Sequence, residues 1–255
     1  MKTLLTAIAG FAAVCAPSAA QAHDFFLMPE SFNPPASPHL IVRATVGSTF
    51  PTPEIVVPAD RAESIVVRGA GNPTIQASAA EEKALPLHVI GARAGVVIAA
   101  VKAKAREVEY AEDRIPLILG EYRVAPAAAA EVERLPRPRT WKVNSRRFAK
   151  TLLCVQTCTG GADSGQPIDG TLEFVTDANN RDQFILLAGG KPLSNYPVDL
   201  VDSEGKRAHL ATNAQGLIAL PPTVKGPLML FAAFLTPPTG AERFTLDLTS
   251  LTVAR

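Results

Sequence analysis

The sequence predicts an all-β protein of two β-sandwich domains, the second immunoglobulin-like, with a short helical insertion in the first. Three observations predict it. Short runs rich in Val, Ile, Leu and Phe recur along the chain, each bounded by Gly, Pro, Asn or Asp. One stretch alone has the composition of a helix. A small polar, glycine-rich segment, Thr159 to Pro167, then separates the last part of the chain from the rest.

Met1 to Ala22 reads as a cleavable secretory signal. Lys2 supplies the positive start, Leu4 to Val14 the apolar core, and Ala20-Gln21-Ala22 the small-x-small cleavage site. Cys15 lacks the residues that would make it a lipoprotein anchor. The chain is thus expected in the periplasm, starting at His23. No later apolar run approaches the ~20 residues of a membrane-spanning helix.

Expected strands follow at His39 to Val46, Glu63 to Arg68, Val96 to Val101, Phe184 to Ala188, Val198 to Val201, His209 to Ala211, Leu217 to Leu220, Leu228 to Leu235 and Phe244 to Val253. β-branched residues and partial alternation carry these assignments. Ala125 to Leu135 is the helical segment, with Pro126 suited to a first turn. Its sequel, Leu135 to Thr140, is extended because its prolines forbid helix. The expected division is 1–22 signal, 23–160 first sandwich and 168–255 second sandwich.

A hydrophobic content of 47% suffices for a core, and a net charge of +1 gives no reason to expect a nucleic-acid partner. Arg137, Arg139, Lys142, Arg146, Arg147 and Lys150 form a local basic cluster, read either as a solvated strand face or as a site for an anionic partner. Hydrolase signatures and phosphate loops are absent, and no pair of carboxylates stands out as a glycosidase pair. With 6% aromatics, a stacking platform for sugars has little support.

Cys154 and Cys158 are the cysteines of the mature chain. A disulfide is the default in an oxidising compartment, provided the chain turns between them; free thiols and metal ligation are the alternatives. His23 is the sharpest candidate for chemistry. Cleavage would give it a free amine beside its imidazole, and the two nitrogens could chelate one ion. Asp24 could add an oxygen or orient the imidazole. His39 is a further candidate ligand, favoured by its closeness to the terminus, whereas His88 reads as a core or edge histidine and His209 as exposed or hydrogen-bonded.

The mature start, Ala22-His-Asp-Phe-Phe-Leu-Met-Pro29, resembles a periplasmic domain-of-unknown-function family associated with nickel-uptake transporters, whose members begin Ala-His-Asp-Phe-Trp-Leu-x-Pro. Trp141 to Leu153 looks like the family's Arg-Tyr-Ala-Lys-x-Leu strand. Gly190-Lys-Pro-Leu-Ser-Asn-Tyr-Pro-Val198 with Thr212 to Gly216 looks like its carboxy domain. Ala232-Ala233-Phe234 stands where members tend to carry a His-Met step, so the chain is a divergent member. With His23, Asp24 and His39 as candidate ligands, the expected function is that of a non-enzymatic periplasmic accessory protein that binds nickel, cobalt or copper, and the resemblance implies a membrane transporter component as partner. The other reading is a structural or protein-interaction module of the cell envelope.

Overall fold

The structure, a computed structural model, describes residues 23–37, 39–177, 180, 182–240 and 242–255. The expected signal segment and its cleavage site lie outside the described residues. The first half of the chain contributes β1 (Asp24–Pro29), β2 (His39–Gly47), β3 (Ile55–Val56), β4 (Ala62–Gly69), β5 (Thr74–Ala77), β6 (Leu85–Ile90), β7 (Gly95–Ala103) and β8 (Arg106–Ala111). Two helices follow, α1 (Ile115–Glu121) and α2 (Pro126–Glu133), and then the long strand β9 (Thr140–Val155). The second half holds β10 (Leu172–Thr176), β11 (Gln183–Ala188), β12 (Lys191–Pro192), β13 (Pro197–Val201), β14 (Arg207–Ala211), β15 (Leu217–Ala219), β16 (Pro227–Thr236) and β17 (Phe244–Ala254).

The protein is all-β with two sandwiches, as the sequence predicts. Both are built on one eight-stranded sheet, ordered β14-β13-β16-β17-β9-β7-β4, with β8 also on β9. A five-stranded sheet, β1-β2-β6-β5 with β3 on β2, completes the first sandwich. Leu27, Val42, Leu85, Leu87 and Val89 from it meet Val97, Ala99, Ala149 and Leu153 in one core. A four-stranded sheet of β10, β11, β12 and β15 completes the second, closing over Phe174, Phe184, Leu186, Leu228, Leu230 and Leu251.

The shared sheet is continuous because β17 pairs parallel with β9, Phe244 opposite Val143 through Thr252 opposite Thr151. The expected linker is held as well. Ala162 N donates to Val96 O at 3.1 Å and Val96 N to Gly160 O at 2.8 Å. A Cβ on Gly161 would stand 2.5 Å from Val96 O, so only glycine lets the chain pass this close.

α2 occupies the expected stretch, with Pro126 in its first turn. α1 was not expected from the sequence, because seven residues give too short a pattern; its Ile115, Ile118 and Leu119 are buried at i, i+3 and i+4. Both helices cover a third core around Trp141, Phe231, Phe244 and Leu246. Among the described residues, no helix is long and apolar enough to cross a membrane.

Candidate functional site

β1 is an edge strand of its sheet, yet its outward carbonyls are not bare. Ser250 Oγ and Thr252 Oγ1 on β17 donate to Phe25 O and Leu27 O, both at 2.6 Å. This docks the strand that begins beside His23 against the second half of the chain and removes part of its edge from water.

Asp24 is 3% exposed. Its Oδ2 accepts from Arg207 Nη2, and its Oδ1 is buried with no hydrogen-bond partner among the described residues. Burial pushes its carboxyl up to about 6, only partly opposed by Arg207. The other arm of Arg207 reaches Asp199 Oδ2 at 3.0 Å. Asp199 also accepts from Arg123 at 2.7 Å and from His209 Nδ1 at 2.8 Å. Burial acts to raise its carboxyl too, but hydrogen bonds from His209, Arg123 and Arg207 outweigh it and hold the group below the usual range. Asp24 thus faces a guanidinium rather than an open coordination position.

His23 is exposed, and its carbonyl accepts from Arg147 Nη1 at 3.0 Å. It stands on a cleft of about 500 Å³ between the first sandwich and the β8–β9 part of the shared sheet. Arg61, Lys104, Arg106 and Arg147 line this cleft together with apolar residues that include Phe25, Ile55 and Tyr110. That concentration of positive charge opposes a bare divalent cation at His23.

His39 lies elsewhere. Asp24 pairs with Gly47 at one end of β2, and His39 begins the other end. At strand rise the two are about 26 Å apart. The trio His23, Asp24 and His39 is therefore not one ligand set. Among the described residues, no group of three His, Cys, Asp or Glu side chains is arranged to hold a metal.

The structure instead joins His39 to His88. Leu40, Val42, Leu85, Leu87 and Val89 point into the core, so the alternation of β2 and β6 turns both histidines to the outer face. They are diagonal neighbours across the strand pair. His39 Nε2 and His88 Nδ1 lie 2.6 Å apart, with the rings stacked at 4.8 Å and 7°. The apolar–polar alternation of Leu85 to Val89 was the signal that His88 leaves the core.

Cys154 and Cys158 form a disulfide across a Cα separation of 4.5 Å. The turn that permits it follows β9, where Gln156 takes a left-handed φ of 56°.

Fold and site together define a two-sandwich, all-β protein that presents a histidine pair on an outer sheet face and a basic cleft beside its first described residue. The chain belongs to the family described as domain of unknown function DUF4198, whose model matches residues 20–235. No curated protein matches it. Among solved structures it is similar to the D0-D1 domain of intimin, at 12% identity and a TM-score of 0.22, over 90% of this chain and 97% of that one.

Proposed function

We propose that this is a non-catalytic periplasmic protein that binds a transition-metal ion, nickel, cobalt or copper, at His39 and His88 and serves uptake or delivery through a membrane transporter component. The observation that carries the reading is the meeting of two of the chain's four histidines, ring nitrogens 2.6 Å apart, on an exposed face. Imidazole nitrogen suits these ions. Two nitrogens at about 2.0–2.1 Å from one ion in tetrahedral arrangement stand about 3.4 Å apart, so a small opening of the pair would admit it. The remaining positions would fall to water or to a donor on the delivery partner. The Cys154–Cys158 disulfide suits an oxidising compartment.

Calorimetric titration with nickel, cobalt and copper chlorides tests it on three proteins: the chain starting at His23, the same chain with one residue added before His23, and His88→Ala. The added residue should change nothing, and His88→Ala should weaken binding at least about tenfold. Unchanged affinity in His88→Ala ends the reading. Loss only in the extended chain would place the ion at a terminal chelate instead.

A further inference from the structure

The basic cluster from Arg137 to Lys150 does not act as one surface in the folded protein. Arg137 and Arg139 pair with Glu112, Lys142 with Glu242, Arg146 with Asp247 and Lys150 with Glu173. Arg147 pairs with no carboxylate among the described residues and gives its one hydrogen bond to His23 O. It lines the cleft beside β1.

Three more cations line the same cleft without a carboxylate partner among the described residues: Arg61, Lys104 and Arg106. They are placed by ordinary strand geometry. Lys104 N donates to Arg61 O at 2.8 Å, which sets these two side by side at the ends of β7 and β4. On β8, Arg106, Val108 and Tyr110 share the face toward the cleft, while Glu107 and Glu109 face away and bind Arg243. Period two has sorted the charges of one strand, positive toward the cavity and negative away from it. Among the described residues, no Asp or Glu is in the lining.

The rest of the lining is mostly apolar, with His23, Tyr110 and Ser145 as its polar members. Ile55 is 49% exposed, unusual for a large aliphatic side chain, and it lines the same cleft with Val46, Val57 and the edge of the largely buried Phe25. A concave, partly apolar cavity with convergent charged groups is the general form of a small-molecule site. We infer that this cleft binds a small organic anion with an acidic head, which Arg147, Arg106, Lys104 and Arg61 would hold, and a short apolar body, which would lie against Ile55 and Phe25. The inference is independent of the histidine pair, which sits on a different face of the first sheet.

The test uses the exported chain and 8-anilinonaphthalene-1-sulfonate as a fluorescent probe that combines a sulfonate with an apolar ring system. Octanoate should displace it. Octanol, which lacks the charge, and acetate, which lacks the body, should each need at least about tenfold more. The double variant Lys104→Gln/Arg106→Gln, at two exposed positions, should weaken octanoate roughly 5–20-fold, as expected for exposed charge pairs. Ile55→Asp should weaken it further. Raising the salt concentration should lower octanoate affinity in the parent and much less in the double variant. Equal displacement by octanol and octanoate, or unchanged octanoate affinity in the double variant, overturns the inference. Neither result bears on metal binding at His39 and His88.

Discussion

Lys150 and Glu173 meet at 2.7 Å with side chains 2% and 0% exposed, while Asp24, Arg207 and Asp199 form a second buried ionic cluster on the opposite face of the shared sheet. The registers fix that opposition. Lys150 lies opposite Leu251 and Leu251 opposite Leu230, on the face of the second core, whereas Asp199 lies opposite Phe231 and Phe231 opposite Ser250, on the other. The two clusters differ in how completely they are satisfied. Glu173 accepts from Lys150 Nζ, from Ile168 N and from Gly170 N at 3.0 Å, so both of its oxygens are used. Asp24 has one oxygen on Arg207 and the other bare. Burial moves the half-engaged Asp24 toward protonation. The first cluster acts as a fixed fastening of β10 to β9, and the second as a titrating contact between β1 and the second half of the chain.

Removing one partner from the satisfied cluster should have the largest effect. Burial holds the Lys150 ammonium below its usual range, and Glu173 partly offsets this. Glu173→Leu leaves that lysine buried and unpaired and should cost about 3–5 kcal/mol, read as a drop in Tm of roughly 10 °C. Lys150→Met with Glu173→Leu should recover most of the loss, because two apolar groups need no partners. A double variant as unstable as the single one would show that Glu173 acts through its backbone contacts rather than through the lysine.

The second cluster should show itself through pH. Asp24 has its pKa raised to about 6 from 3.8. The folded state therefore holds a proton that the unfolded state has released. Its contribution is present below about pH 4 and is lost as the pH rises through about 6. Over that window, folding of the parent should lose roughly 2–3 kcal/mol relative to Asp24→Asn. Urea denaturation of both proteins at intervals from pH 4 to pH 7 measures the difference directly. Parallel stability curves would remove the distinction between the two clusters.

Part of the strand inventory was legible in the sequence because it depends on local chemistry, whereas β5, β6, β8 and β10 match no expected run. β2, β4, β7, β13, β16 and β17 each cover an expected run to within a residue or two at each end, and the Gly189–Gly190 turn joins Ala188 to Lys191 as the glycines require. The joining of the halves was not legible. It rests on β9 and β17, which are about a hundred residues apart and whose parallel register is set by neighbours on both sides. The site divides in the same way. That Asp24 would be buried against Arg207, 183 residues away, left no local trace. The outward direction of His88 and the sorting of Arg106 from Glu107 could both be read from period-two alternation, but only the fold shows what each one meets.

The smallest effect belongs to the rim of the titrating cluster. His209 is 62% exposed and contributes one of three bonds to Asp199, whose other partners, Arg123 and Arg207, are guanidiniums. His209→Ala should therefore cost less than about 1 kcal/mol, because solvent screens the exposed ring and Asp199 keeps two charge-assisted partners. Chemical denaturation at pH 7 reads this, and nickel affinity measured on the same protein should equal that of the parent. A cost above about 2 kcal/mol would mean that Asp199 depends on the imidazole more than on its arginines. The cluster would then be fastened from its exposed side, and the contrast with the sealed Lys150–Glu173 pair would turn on access to water rather than on how many lone pairs are filled.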